Sequence, residues 1–433
     1  MTVSAPSHDH RAVWSWALVD WGNSAFATVV MAGFFPVFFK GYWAGDLVAT
    51  DATFWLGLAN AGASLLVVVL APALGALADQ VGAKKGFLLV FTALGVLATG
   101  ALFWVAQGQW ALALAVYVLG LLGFSGNNVF YDALLVDVSP PERYERVSSF
   151  GYALGYLGGG LLFAVNVAMT AKPEWFGLAD AATAVRLAFL GTALWWALFT
   201  VPVALWVREA AVVCAPGASW GPAIHAALGQ LVGTLSQVRR LPMTFLFLLA
   251  YWLYIDGVDT IIRMAVDFGL SIGFGANDLM AALLLTQAVG FPAALVLGRL
   301  GERWGAKRAI LLCIGVYLLM VVGATQMREV WQFYLLAGGI GLVQGGIQAL
   351  SRALFAGLIP AGQVAEFFGL FNVVGKFAAV LGPGLVAVTA GVTGDPRLSL
   401  LPIAALFLGG AWLLTRVDVV AGREAVGGRA RRR

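Results

Sequence analysis

GALADQVGAKK, from Gly75 to Lys85, returns with the same spacing as GRLGERWGAKR, from Gly298 to Arg308. Gly75, Asp79, Gly82, Lys84 and Lys85 thus fall on Gly298, Glu302, Gly305, Lys307 and Arg308. Each copy separates two long apolar runs, so the chain reads as a duplication. The likeness extends outward from the loops. Tyr131 to Gly151 aligns without gaps on Ser351 to Phe371, carrying Pro140 onto Pro360. Near the start of each half, Leu18, Asp20, Asn23 and Ser24 fall on Tyr254, Asp256, Asp259 and Thr260.

The chain of 433 residues is 61% hydrophobic and 11% charged, with mean hydropathy +0.88. Soluble domains carry about 25% charged residues, so a water-soluble globule is excluded. A helix crossing about 30 Å of hydrocarbon needs about 20 apolar residues. The apolar runs predict spans at Trp14 to Phe39, Thr53 to Leu77, Gly86 to Ala106, Trp110 to Val138, Val147 to Thr170 and Thr183 to Val207. A second six run from Met243 to Phe268, Asp278 to Leu300, Ala309 to Thr325, Trp331 to Ile359, Phe367 to Ala390 and Leu398 to Thr415. The expected fold is an all-α membrane protein with twelve transmembrane helices in two pseudo-symmetric six-helix lobes. The lobes are placed at 1–210 and 243–416. A cytoplasmic linker at 211–242 carries an amphipathic helix, with Ile224, Leu228, Leu231, Leu235 and Val238 on one face. A basic tail covers 417–433. Parallel repeats of this kind build alternating-access transporters, with the substrate site between lobes near mid-membrane.

Basic residues fix the expected orientation, because Lys and Arg accumulate in cytoplasmic loops. With the N-terminus inside, the inner segments hold Arg11, Lys84, Lys85, Arg143, Arg146, Arg208, Arg239, Arg240, Arg299, Arg303, Lys307, Arg308 and the tail. The outer loops hold Lys40, Lys172, Arg186, Arg328 and Arg397. Both termini are therefore expected in the cytoplasm, in a multi-pass cytoplasmic (inner) membrane protein. The first span is longer than a signal-peptide core and carries Asp20 and Asn23, so it is expected to be retained. Trp14, Trp43, Trp110, Trp175 and Trp331 lie near span ends and suit interfacial anchoring. No nucleic-acid footprint is present. The two cysteines show no metal-ligand spacing, so neither metal nor cofactor is expected.

Ionisable residues inside spans are expensive and default to functional sites. Here they are Asp20, Asp132, Asp137, Asp256, Asp259, Arg263, Asp267, Arg352 and Lys376. Asp256, Asp259, Thr260, Arg263 and Asp267 form one polar stripe at helical spacing. Asp259 and Arg263 are placed to pair, which makes Asp259 a poor proton carrier. Asp20 shares its face with Asn23, Ser24 and Thr28 and has no basic helical neighbour. It is the first choice for proton coupling unless Lys376 or Arg352 reaches it from the other lobe. The three histidines, His8, His10 and His225, lie outside the spans. Trp16, Trp21, Tyr251, Trp252 and Tyr254 flank the acidic stripes and are candidates for a cavity lining. In the duplicated loops, the acid at a helix end can cap backbone donors or pair with a basic residue across the lobe.

GxxxDxxGxKK resembles the signature loop of the major facilitator superfamily, which implies gating roles for Gly75, Asp79, Gly82, Lys84, Lys85, Gly298, Glu302, Gly305, Lys307 and Arg308. Longer strings narrow this: DWGNSAF from Asp20, LAYWLYIDGVDTI from Leu249, FYDALLVDVSPPERYERVSSFGYALGYLGGG from Phe130, and QGGIQALSRALFAGLIPAGQVAEFFGLFNVVGKFAAVLGP from Gln344. These are similar to the vacuole effluxer family within that superfamily, whose fungal autophagy-related members are implicated in amino-acid efflux. The match leaves out the first 13 residues and the tail after Arg416. The resemblance implies family motif positions at Asp20, Asn23, Asp256, Arg352 and Lys376. The combined substrate or proton site is then Asp20, Asn23, Asp256, Asp259, Arg263, Arg352 and Lys376.

The expected function is secondary transport of a small polar or zwitterionic, amino-acid-like solute, with efflux favoured by the resemblance and proton coupling open. Arg352 or Lys376 would meet a carboxylate, and Asp20 or Asp256 an ammonium. The partners are then the solute and the lipid bilayer, and a monomer is expected. A drug or organic-anion exporter of the same fold is the nearest alternative, served by Arg263, Arg352 and Lys376. A transport-dead membrane sensor is another, although no sizeable soluble signalling domain is present. No enzyme is expected: GxxxxGK[ST], HExxH and GxSxG are all missing.

Overall fold

The computed structural model describes residues 9–209, 237–271, 275–393 and 398–430. All described regular structure is helical. In chain order, α1 covers His10–Trp43, α2 Ala49–Val81, α3 Lys84–Ala101, α4 Trp110–Ala133, α5 Tyr144–Ala171 and α6 Ala181–Trp206. The second half holds α7 Pro242–Ser271, α8 Ala276–Trp304, α9 Ala306–Ala324, α10 Val330–Ala356, α11 Val364–Thr393 and α12 Leu401–Arg416, followed by α13 Val419–Ala430. Among the described residues, ten helices are long and apolar enough to cross a membrane. α12 is shorter and turns through 61° into α13. The fold is an all-helical membrane fold of twelve helices in two lobes. The expected linker helix at Ile224 to Leu235 lies outside the described residues.

Local chemistry sets the helix ends. Gly82 and Gly305 take positive φ, 62° and 85°, a conformation that a Cβ disfavours. They allow the abrupt reversals from α2 into α3 and from α8 into α9. Asp180 caps α6 by accepting the Thr183 backbone N–H at 2.7 Å, and that bond holds its carboxyl below the usual aspartate range. The basic residues of the loops do more than mark a side. Lys84 pairs with Asp137 at 2.6 Å. Lys85 donates to the carbonyls of Ala204 and Val207 at the end of α6. Lys307 does the same for Thr415 and Val417 at the end of α12. Orphan C-terminal carbonyls are thereby satisfied in both lobes. The role falls one position earlier in the second copy, because α9 starts one residue closer to its glycine. Glu209 accepts the Lys85 N–H at 2.7 Å, and burial raises its pKa.

Two expectations need correction. α1 is not one regular α-helix: Phe26–Phe34 and Phe39–Trp43 are π-helical. Phe35 N–H reaches back to the Val30 carbonyl, and the adjoining Pro36 has no N–H to offer an α-helical bond. Trp43 is not an interfacial anchor. It is fully buried, stacked near Phe189, and its Nε1 donates to Val105 O at 3.2 Å. Of the other proposed anchors, Trp14, Trp175 and Trp331 are exposed.

Across the lobes, α2 lies along α11, and α5 lies along α8 and α10. Two close approaches lie on the face where the chain begins and ends, here termed the terminal face. A Cβ on Gly75 would overlap the Ala365 carbonyl. Gly298 lies against the side chain of Ser149.

Candidate functional site

A cavity of about 280 Å³ lies between the lobes. Its wall on one side comes from α1, α4 and α5: Asp20, Asn23, Ser24, Thr28, Asn128, Tyr131, Asp132, Tyr152 and Tyr156. The other lobe supplies Tyr251, Gln287, Gln344, Gln348, Arg352 and Asn372. Such a lining is polar by the standard of membrane interiors, and polar groups at that depth face water, protein or a ligand.

Arg352 is the centre of the site and is 1% exposed. Its Nη1 donates to Asp132 Oδ1 at 2.9 Å, its Nε to Ser148 Oγ at 2.8 Å and its Nη2 to the Ser148 carbonyl at 2.8 Å. The guanidinium also sits over the rings of Tyr152, Trp16 and Tyr131 at 4.6, 4.9 and 5.0 Å. Every one of these partners belongs to the N-terminal lobe, whereas Arg352 belongs to the C-terminal lobe. Asn372 adds an N–H to Asp132 Oδ2 at 3.2 Å. The pair is therefore a junction between lobes as well as a buried charge pair.

Asp20 stands beside this junction. Its Oδ1 accepts from Ser24 Oγ at 3.0 Å and its Oδ2 from Tyr131 OH at 3.2 Å. Asn23 donates to the side-chain oxygens of Asn127 and Asn128, both at 2.8 Å, and Asn127 continues the chain to Thr92 at 2.6 Å. Across the cavity, Gln287 Nε2 donates to Thr28 Oγ1 at 2.7 Å, a further direct bond between lobes.

Of the residues picked from sequence, the structure brings Asp20, Asn23 and Arg352 to the cavity. Asp256 is fully buried, accepts from Gly382 N–H at 2.9 Å and Thr260 Oγ1 at 3.3 Å, and is not in the wall. Its bond from Thr260 mirrors the bond from Ser24 to Asp20. Asp259 is half-buried and also outside the wall. The side chains of Arg263, Asp267 and Lys376 lie outside the described residues. Among the flanking aromatics, Tyr251 lines the cavity. Trp16 packs beneath Arg352, and Tyr254 hydrogen-bonds Ser351 at 2.6 Å. Asp132, one of the intramembrane acids, was left out of the combined site, and sequence reasoning did not select Tyr131, Tyr152 or the amides Asn128, Gln287, Gln344, Gln348 and Asn372.

The loop residues sit on the terminal face. Asp79 reaches across the lobes, its two carboxylate oxygens accepting from the N–H groups of Ala365 and Glu366 at 3.1 and 2.9 Å. These are first-turn donors of α11, so an acid of one lobe caps a helix of the other. Glu302, its counterpart, is exposed at the end of α8. Asp79→Ala removes both acceptors, and the loss is expected to weaken the closed face by about 0.5–2 kcal/mol. A cysteine placed at Ser149, which is 1% exposed, should then be alkylated faster than in the parent, with Cys214 and Cys313 replaced in both proteins. Equal rates would show that the cap does not hold the face shut.

Comparison with known proteins adds the lineage. The chain matches the family described as "Vacuole effluxer Atg22 like" over residues 8–138 and 136–427. It belongs to that family. The match runs well beyond Arg416 and begins before residue 14, so the tail and part of the leader are inside the family pattern, contrary to the sequence expectation. An uncharacterized MFS-type transporter of Bacillus subtilis, YxiO, is 39% identical over 406 residues, covering 93% of this chain and 94% of that protein. Autophagy-related protein 22-1 of Penicillium rubens is 29% identical over 312 residues, covering 65% of this chain. The aligned region spans half the length of that fungal relative, 50%. Among solved structures, the human organic anion transporter MFSD10 superposes with TM-score 0.68 at 18% identity, covering 93% of this chain and 99% of its own. The proton:xylose symporter XylE gives TM-score 0.68 at 12% identity and covers 94% of both chains. The Atg22-like chain is thus a major facilitator superfamily transporter, and its relatives are transporters rather than enzymes.

Proposed function

We propose that this Atg22-like protein moves a small, polar, amino-acid-like solute by alternating access, with the cavity beside Asp20 and Arg352 as the solute site. The observation that carries this reading is a junction of opposite charges and amides beside a cavity between the two lobes. The volume of about 280 Å³ lies at the lower edge of small-molecule pockets, roughly 300–1,000 Å³, and favours a compact solute over a bulky drug. Arg352 has five N–H donors, of which Asp132 and Ser148 take three. This weakens its expected role as a direct carboxylate ligand. A solute ammonium would meet Asp20, and the amides of Gln344, Gln348 and Asn372 would meet the opposite end.

Loop charge supports a cytoplasmic terminal face, which makes the conformation described here the one closed toward the cytoplasm. A single chain supplies both lobes, and a monomeric transport unit is part of the proposal. Asp20, the acid in the wall with no salt-bridge partner within 4 Å among the described residues, is our candidate for proton coupling. Asp20→Asn should abolish gradient-driven uptake in reconstituted vesicles while solute exchange persists. Unchanged gradient-driven uptake would remove Asp20 from that role. The function itself is tested by thermal-shift screening of the purified protein against amino acids, peptides, sugars and organic anions, because a ligand stabilises the form it binds, followed by vesicle transport of each hit. Stabilisation and transport by organic anions alone would overturn the amino-acid-like assignment.

A further inference from the structure

In the closed face, a C-terminal-lobe guanidinium fills a pocket made entirely by the N-terminal lobe. Trp16, Tyr131 and Tyr152 supply ring faces, Asp132 a carboxylate, and Ser148 a hydroxyl and a carbonyl. This is a complete recognition site for a planar cation: ring faces attract cations, and three acceptors match the guanidinium fork. The terminal face cannot open without withdrawing Arg352, because its named partners all stay with the other lobe. Withdrawal leaves Asp132 and the aromatic faces without their cation, and a buried charge deprived of its partner is strongly disfavoured.

We propose that the N-terminal-lobe box of Trp16, Tyr131, Tyr152, Asp132 and Ser148 binds the guanidinium group of a solute when the terminal face opens, with Arg352 as the built-in competitor that occupies the box when it closes. This rests on the transport reading above and narrows its substrate class to solutes carrying a guanidinium. The box adjoins the cavity, since Tyr131, Asp132 and Tyr152 line both. A solute whose other end lies among the amides could therefore place its cation in the box without leaving the site. Charge balance then couples occupancy to opening: one guanidinium enters as the other leaves.

L-arginine and L-citrulline have nearly the same shape and differ in the charge of the end group, so they isolate the effect. In the wild-type protein, L-arginine should raise the melting temperature and drive counterflow in vesicles, while L-citrulline and glycine should do so far less. Arg352→Gln vacates the box and should bind L-arginine more tightly than wild type by about tenfold or more, the scale of a desolvated cation–π contact, with no comparable gain for L-citrulline. If Arg352→Gln does not fold, the wild-type comparison still decides. Equal responses to L-arginine and L-citrulline would overturn the box as a guanidinium site. Transport of neutral amino acids without L-arginine would overturn the box and leave the transport reading standing, whereas no transport of any amino acid would remove both.

Discussion

Arg352→Gln is expected to destabilise the protein by about 3–5 kcal/mol, the usual consequence of stranding one member of a buried ion pair. The reason lies in the geometry of the partner left behind. Asp132 has a side chain 11% exposed, and without Arg352 it retains the Asn372 amide at 3.2 Å. One neutral donor does not replace a charged one. Pairing Arg352→Gln with Asp132→Asn removes both charges and should recover most of the loss. A large non-additive term in this double-mutant cycle, read by thermal unfolding of purified protein, is the signature of direct coupling. Simple additivity would show that the pair contributes nothing beyond its separate members.

Gly75→Val should have the largest effect on conformation. Any Cβ at this position overlaps the Ala365 carbonyl of the opposite lobe, and backbone cannot move aside as a side-chain tip can. Overpacking of a close contact costs about 1–3 kcal/mol, enough to move a two-state balance by roughly 5- to 150-fold. The terminal face should then stand open. Spin labels at Gln80 and Ala361, near the facing ends of α2 and α11, should report a longer distance distribution than in the parent protein. Gly62→Val, elsewhere on α2 with nothing within 4 Å of its Cβ position, is the control and should leave the distances unchanged. An unaltered distribution in Gly75→Val would mean that the glycine does not set the closure.

Much of the architecture was legible in the sequence because hydrocarbon imposes a simple rule: apolar length decides where helices cross. The duplicated loops revealed two halves, and the intramembrane charges pointed to Asp20 and Arg352. The pairing of Arg352 with Asp132 was also written in the alignment, unread. Tyr131 to Gly151 on Ser351 to Phe371 places Asp132 on Arg352. Two lobes related by a pseudo-two-fold axis bring equivalent positions near that axis together, so opposite charges at equivalent positions are a pairing signal. The amides could not be found this way. Gln287, Gln344 and Gln348 are ordinary uncharged residues, and whether they face the cavity depends on helix rotation, which packing decides. Asp256 misled for the same reason. It shares the motif of Asp20, yet Gly382 and Thr260 engage it away from the cavity wall. The π-helical turns of α1 flank the segment that holds Pro36, and apolar periodicity carries no trace of them.

The short helix α13 turns the end of the chain into part of the molecule's machinery. Arg423 on it reaches Glu145 of the other lobe at 3.6 Å and rests against Gly357, while Gly422 packs on Leu358 and Met243. A fluorescent reporter or affinity handle fused after this helix would pull on a strut between the two halves. For biochemical work the leader ahead of His10 is therefore the sounder attachment point, and a signal read from a C-terminal fusion would describe a transporter already biased by its label.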